Sequence, residues 1–235
     1  MPTDPAPHNV EFPSAGATAY GYLALPPAGH GPGVIVIQEW WGLTDHIKDI
    51  ADRLAREGFV ALAPDLYGRT VAHDSAEALR MMNELPTARG VELLEGAVSH
   101  LLSREETRGD TVGAVGFCMG GGFVLSLAAA DQRVSAAVPF YGVNRDGVPD
   151  FSHLKAQILG HYGESDEGVP PSSLVPIEAA IEDGGSGIVP TFHLYAGAGH
   201  AFFNDGRPEA YHAEAAELAW SRTLDFLHAQ LDPAV

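Results

Sequence analysis

Few residues in this chain carry chemistry at a telling spacing, and the first is its only cysteine. Cys118 stands in Gly116-Phe117-Cys118-Met119-Gly120-Gly121-Gly122. This is the G-x-S-x-G nucleophile-elbow pattern with a thiol in the serine position. An apolar run, Thr111 to Phe117, precedes it and reads as a strand; Gly122 to Ala130 reads as a helix. A sharp strand-to-helix turn puts the nucleophile in strained backbone geometry. It also brings backbones so close that a Cβ two residues to either side would clash. The turn sets the thiol at a helix N-terminus, where the dipole favours the thiolate. The backbone N–H of Met119 would then face a developing oxyanion. The alternative is a buried structural cysteine in a Gly-rich turn. Phosphate binding fits poorly, because no lysine follows the glycines and neither phosphate-loop spacing is met.

A thiol nucleophile needs a base, and the base needs a group to orient it. Two segments downstream qualify. The strand Gln157–Tyr162 ends in Gly163-Glu164-Ser165-Asp166-Glu167-Gly168, where Asp166, Glu164 and Glu167 compete for the role of acid. The strand Thr191–Tyr195 ends in Ala196-Gly197-Ala198-Gly199-His200, whose glycines allow a tight loop. Among 11 histidines, His200 is the one just past the last strand in such a loop. His161 and His193 lie within strands and read as structural. A third segment, Gln38-Glu39-Trp40-Trp41-Gly42, puts a carboxylate against two indoles at a strand's end. A Glu is costly to bury unpaired, so that setting would favour its protonated form. Equally, Glu39 could be exposed and cap the following turn. The backbone N–H of Trp40 sits where a second oxyanion donor would arise.

These segments need a scaffold that presents strand ends. Further strands are expected at Ala19–Leu25, Val34–Ile37, Phe59–Ala63 and Val134–Tyr141. Helices are expected at Asp45–Glu57, Ser75–Leu85, Thr87–Ser103, Leu174–Asp183 and Pro208–Leu231. Strands alternating with helices imply right-handed crossovers and a mainly parallel sheet. The expected fold is therefore α/β, one doubly wound sheet flanked by helices, spanning residues 10–232 as a single domain. Residues 1–9 and 233–235 read as loose termini. In such sheets ligands bind at the carboxyl ends of the strands, where the candidate residues cluster.

Composition narrows the possibilities. The 235 residues include 31 acidic and 13 basic ones, a net charge of −18, so nucleic acid is a poor partner. An apolar fraction of 46% with 19% charged residues suits a packed core. No apolar run reaches the ~18–20 residues of a membrane span. The N-terminus has neither the basic head nor the apolar segment of a signal peptide, so the expected location is cytoplasmic. One cysteine excludes an intramolecular disulfide and multi-cysteine zinc sites, and no metal or other cofactor is expected.

Taken together, the segments resemble the dienelactone hydrolase family of the α/β-hydrolase fold. The matching residues are Gln38-Glu39-Trp40-Trp41-Gly42, Pro64-Asp65-Leu66-Tyr67-Gly68, Gly116-Phe117-Cys118-Met119-Gly120-Gly121, Asp166 with Val169-Pro170, and Gly199-His200-Ala201-Phe202. They occur in family order along nearly the whole chain. The resemblance implies a Cys118–His200–Asp166 triad, with Asp166 preferred over its Glu neighbours. It implies that Glu39 holds the resting thiol and helps to deprotonate it. Trp40 and Met119 would supply the oxyanion N–H groups. Arg80 and Tyr141 resemble residues of the substrate pocket, whereas the family's second arginine is replaced by Asn204. The expected reaction is hydrolysis of a carboxylic ester or lactone through a thioester, by a monomer acting on a small molecule. The competing readings are a broad carboxylesterase for neutral esters and an idle binding or thiol-sensing protein.

Overall fold

The structure is a computed structural model that describes residues 8–232. Its strands form one eight-stranded sheet in the order β1-β2-β4-β3-β5-β6-β7-β8, mostly parallel and flanked by helices. The described residues divide into two compact units, the first ending at Val112 and the second beginning at Gly113.

The first unit holds β1 (Val10–Ser14), β2 (Ala17–Ala24), β3 (Gly31–Ile37), α1 (Asp45–Arg56), β4 (Val60–Pro64), α2 (Ser75–Glu84) and α3 (Thr87–Leu102). β3 and β4 are buried at every residue and pair in parallel, as continuous apolar runs do when both sheet faces are covered. α1 buries Ile47, Ile50, Ala51 and Leu54, the stripe expected from its 3.6-residue period. The strand β1 has no counterpart among the expected elements. It pairs antiparallel with β2 across a two-residue turn at Ala15 and Gly16, both at positive φ. Such a turn suits a tight hairpin, but Ala15 in place of Asn or Asp removes the usual signal. Pro13 inside the strand removes another, since proline is tolerated only at a sheet edge. Of the expected loose ends, residues 1–7 and 233–235 lie outside the described residues. His8 and Asn9 are held: His8 Nε2 lies 2.7 Å from Asp65 Oδ2, and the Asn9 amide exchanges hydrogen bonds with the backbone of Leu23.

β5 (Thr107–Phe117) leads into the second unit, which holds α4 (Met119–Ala130), β6 (Val134–Phe140), β7 (Gln157–Gly163), a 3₁₀ turn (Pro171–Ser173), α5 (Val175–Asp183), β8 (Thr191–Tyr195) and α6 (Ala213–Leu231). β6, β7 and β8 pair in parallel. α4 is buried on every side from Met119 to Ala128. It starts three residues earlier than expected, so the glycines lie in its first turn. α6 starts later than expected, at Ala213 rather than Pro208. Residues 204–211 instead form successive turns, closed by Arg207 N–H to Asn204 O and Tyr211 N–H to Arg207 O. The helix then opens on His212, whose Nδ1 accepts from the N–H of Ala215 at 3.3 Å. Among the described residues no helix is long and apolar enough to cross a membrane.

Candidate active site

Cys118 stands between β5 and α4 with φ 54° and ψ −117°, a backbone that an L-residue rarely adopts. Backbone contacts hold it there. Its N–H donates to Phe140 O at the end of β6, at 3.0 Å. The glycines around it are places of close approach. A Cβ on Gly116 would stand 2.3 Å from Gly120 O, and one on Gly122 2.5 Å from Val143 O. A Cβ on Gly142 would stand 2.0 Å from the carbonyl oxygen of Cys118 itself. The helix start therefore packs backbone to backbone against the segment after β6, which explains Gly121 and Gly122 in a helix that they would otherwise weaken. Gly142 escapes a sequence reading, because nothing in Tyr141-Gly142 announces what lies against it.

His200 and Asp166 meet this thiol. His200 Nε2 is 3.1 Å from Cys118 Sγ, and His200 Nδ1 is 2.7 Å from Asp166 Oδ2. Asp166 is buried, and its other oxygen accepts the N–H groups of Gly168 and Val169, each at 2.9 Å. Glu164 and Glu167 are exposed. Burial works against the charge on Asp166, but hydrogen bonds from His200, Val169 and Gly168 outweigh it and hold its carboxyl below the usual value. For His200, burial disfavours the imidazolium. The hydrogen bonds to Asp166 and Cys118, with the charges they bring, overcome that and push it up to about 10. The arrangement thus favours a protonated imidazole beside the sulfur, as a thiolate–imidazolium pair requires.

The remaining candidates are placed as follows. Tyr141 is fully buried at φ 37°, its ring edge-on to His200 with centroids 5.3 Å apart. Met119 is the first residue of α4. Asn204 is buried, and its Oδ1 accepts from Gly206 N–H. In the first unit, Glu39 follows the end of β3 and is only 2% exposed. Beside it, Gln38 Oε1 accepts the Leu66 N–H at 3.2 Å. Trp40 and Trp41 lie edge to face, 5.0 Å apart, and with Tyr67 pack on Ala72, Ala78 and Met81. Arg80 borders a cavity of about 330 Å³ with Leu66, Tyr67 and Thr70. Its guanidinium is largely exposed and bridges Glu84 at 2.9 Å and Glu77 at 3.7 Å along its own helix. Among the described residues, no cluster of three or more His, Cys, Asp or Glu side chains is arranged to hold a metal ion.

Comparison with known proteins decides the family. The model of the dienelactone hydrolase family matches residues 19–231. The chain belongs to that family. Protein usf of Aquifex pyrophilus is 35% identical over 92% of this chain and 96% of its own. A protein of Aquifex aeolicus named "Putative carboxymethylenebutenolidase" is 33% identical over 94% and 98%. Among solved structures, a dienelactone hydrolase-like promiscuous phosphotriesterase from metagenomic libraries superposes with a TM-score of 0.84 at 25% identity, covering 94% of this chain and 96% of that one. Membership in the dienelactone hydrolase family makes the chain an ester or lactone hydrolase.

Proposed function

We propose that the chain cleaves a small carboxylic ester or lactone with Cys118 as nucleophile. The observation that carries this reading is the unbroken hydrogen-bonded line from Cys118 Sγ through His200 to Asp166. The Cys118 thiolate attacks the carbonyl carbon, and the resulting oxyanion accepts from the Met119 N–H at the start of α4. The family resemblance adds the Trp40 N–H as a second donor. Each such donor is worth about 10²–10³ in kcat. Collapse of the tetrahedral intermediate breaks the acyl C–O bond, and the His200 imidazolium protonates the leaving oxygen. A thioester remains. Water then attacks it, with neutral His200 taking a proton and Asp166 holding the ring in orientation. The acid departs and the thiolate–imidazolium pair returns. By resemblance, Glu39 assists deprotonation of the thiol.

A second reading is a carboxylesterase for neutral esters. Arg80 is engaged by Glu77 and Glu84, Arg207 is engaged by Glu209 at 3.0 Å, and position 204 carries no charge. An anionic substrate would have to compete with those carboxylates, in a protein of net charge −18. Turnover of an anionic enol-lactone is to be compared with that of p-nitrophenyl acetate, in wild type and Cys118→Ala. Loss of both activities in the variant supports the nucleophile; retained hydrolysis rejects it. The ratio of the two kcat/KM values in wild type separates the substrate readings.

A further inference from the structure

Behind the acid and histidine loops lies a polar chain that the proposed reaction does not use. His161 in β7 is fully buried. Its Nε2 is 3.0 Å from Thr223 Oγ1 in α6, and its Nδ1 is 2.8 Å from the Tyr195 hydroxyl at the end of β8. Arg222 Nη1 donates to the same hydroxyl at 3.2 Å.

One arrangement of protons gives every donor in this chain a partner. The Thr223 hydroxyl donates to Ala219 O at 2.8 Å, so it can only accept from His161. His161 must then carry its proton on Nε2, which leaves Nδ1 as an acceptor. Tyr195 therefore donates to Nδ1 and accepts from Arg222, whose guanidinium keeps its charge. A buried network satisfied in this way is rigid, and it holds Tyr195 in one orientation.

Tyr195 is where the two catalytic loops are joined. Its carbonyl oxygen accepts Glu164 N–H at 3.0 Å, from the loop that carries Asp166, and Ala198 N–H at 3.2 Å, from the loop that carries His200. Ser165 N–H to Ala198 O, at 2.9 Å, ties the loops a second time. The carbonyl of His161 also accepts the N–H of Tyr141, whose ring lies against His200.

We propose that His161, Tyr195 and Thr223 are positioning residues, which set the distance between Asp166 and His200 through the Tyr195 carbonyl. The proposal rests on the triad reading given above and extends it. Because His161→Ala could fail to fold, the test uses near-isosteric changes, Tyr195→Phe and Thr223→Val, with p-nitrophenyl acetate as the probe. Both variants are expected to fold and to lose about tenfold or more in kcat, with KM within about twofold, as small misplacements of a catalytic pair do. Thr223→Ser keeps the hydroxyl and should restore kcat. The low-field proton resonance of His200 Nδ1–H should move in Tyr195→Phe. Variants that lose stability but keep kcat, the pH profile and that resonance would overturn the proposal. The resonance is read without turnover, so it decides positioning separately. Cys118→Ala, run alongside, decides the triad.

Discussion

His200 Nε2 lies 3.1 Å from Cys118 Sγ, although 82 residues separate the two in sequence. The same ring donates from Nδ1 to Asp166 at 2.7 Å, so both of its nitrogens are committed to charged or ionisable partners. Such an imidazole gains a proton easily and loses it reluctantly, and several consequences can be measured.

Asp166→Asn should keep the fold and lower kcat by roughly 10²–10⁴, because an amide can donate to Nδ1 and stabilise the wrong tautomer. Steady-state hydrolysis of p-nitrophenyl acetate measures it. A loss below about threefold would count against Asp166 as the orienting acid.

The raised pKa of His200 makes a stability prediction with a definite sign. The folded state binds the imidazolium proton more tightly than the unfolded chain, whose histidine titrates near 6.5. The contribution is complete below about pH 6.5 and disappears as pH rises through about 10. Urea midpoints should therefore fall across that window in wild type and fall less in His200→Gln. Cys118→Ser should lower the His200 pKa seen by NMR titration, because the sulfur supplies both a hydrogen bond and charge to the wild-type shift.

His161 predicts the opposite limb. Burial, together with the nearby charges of His193 and Arg222, holds it neutral, well below the usual histidine value. The Tyr195 hydroxyl and the Thr223 hydroxyl complete its surroundings, and neither rewards an added proton. Its folded pKa is depressed, so its contribution is present above about pH 6.5 and is lost as pH falls towards the folded value. Equilibrium unfolding at pH 7 and pH 5 should show the loss. His161→Gln should be destabilised at pH 7 yet show a shallower acid limb.

Gly142→Ala tests the backbone contact behind the nucleophile. A methyl group there would stand 2.0 Å from Cys118 O, with no flexible side chain to give way. Overpacking of this kind costs about 1–3 kcal/mol, occasionally more. The expected variant is destabilised by at least that amount and inactive, because relief of the clash moves the elbow. Full activity would show that the contact is not needed to place the sulfur.

The elbow was legible because its demands are local. Small residues, a strand before and a helix after are all written within about twenty positions. The choice among Glu164, Asp166 and Glu167 was not legible from the residues, since it depends on how the loop curls to bring the Gly168 and Val169 N–H groups onto Asp166. The β1 edge strand escaped because its turn uses Ala15 and its body contains Pro13. His161 reads as a structural histidine in the sequence, and it is indeed buried. What it holds was beyond reach, because its partner Thr223 lies 62 residues further on, in the helix α6. By contrast, the pairs of Arg80 with Glu77 and Glu84 follow from helical spacing alone.

The strained turn at Cys118 has one more consequence. The atoms that shape it are Phe140 O, Gly120 O and the chain at Gly142, all of them backbone. Two of them meet residue 118 at its own backbone, Phe140 O at its N–H and the chain at Gly142 at its carbonyl oxygen. The scaffold thus reserves a position for a nucleophile and leaves its element open, so sulfur and oxygen can be exchanged there without rebuilding the turn. Whether such an exchange yields a working enzyme is decided at the imidazole of His200, which must hold its proton beside a thiolate but take one from a hydroxyl.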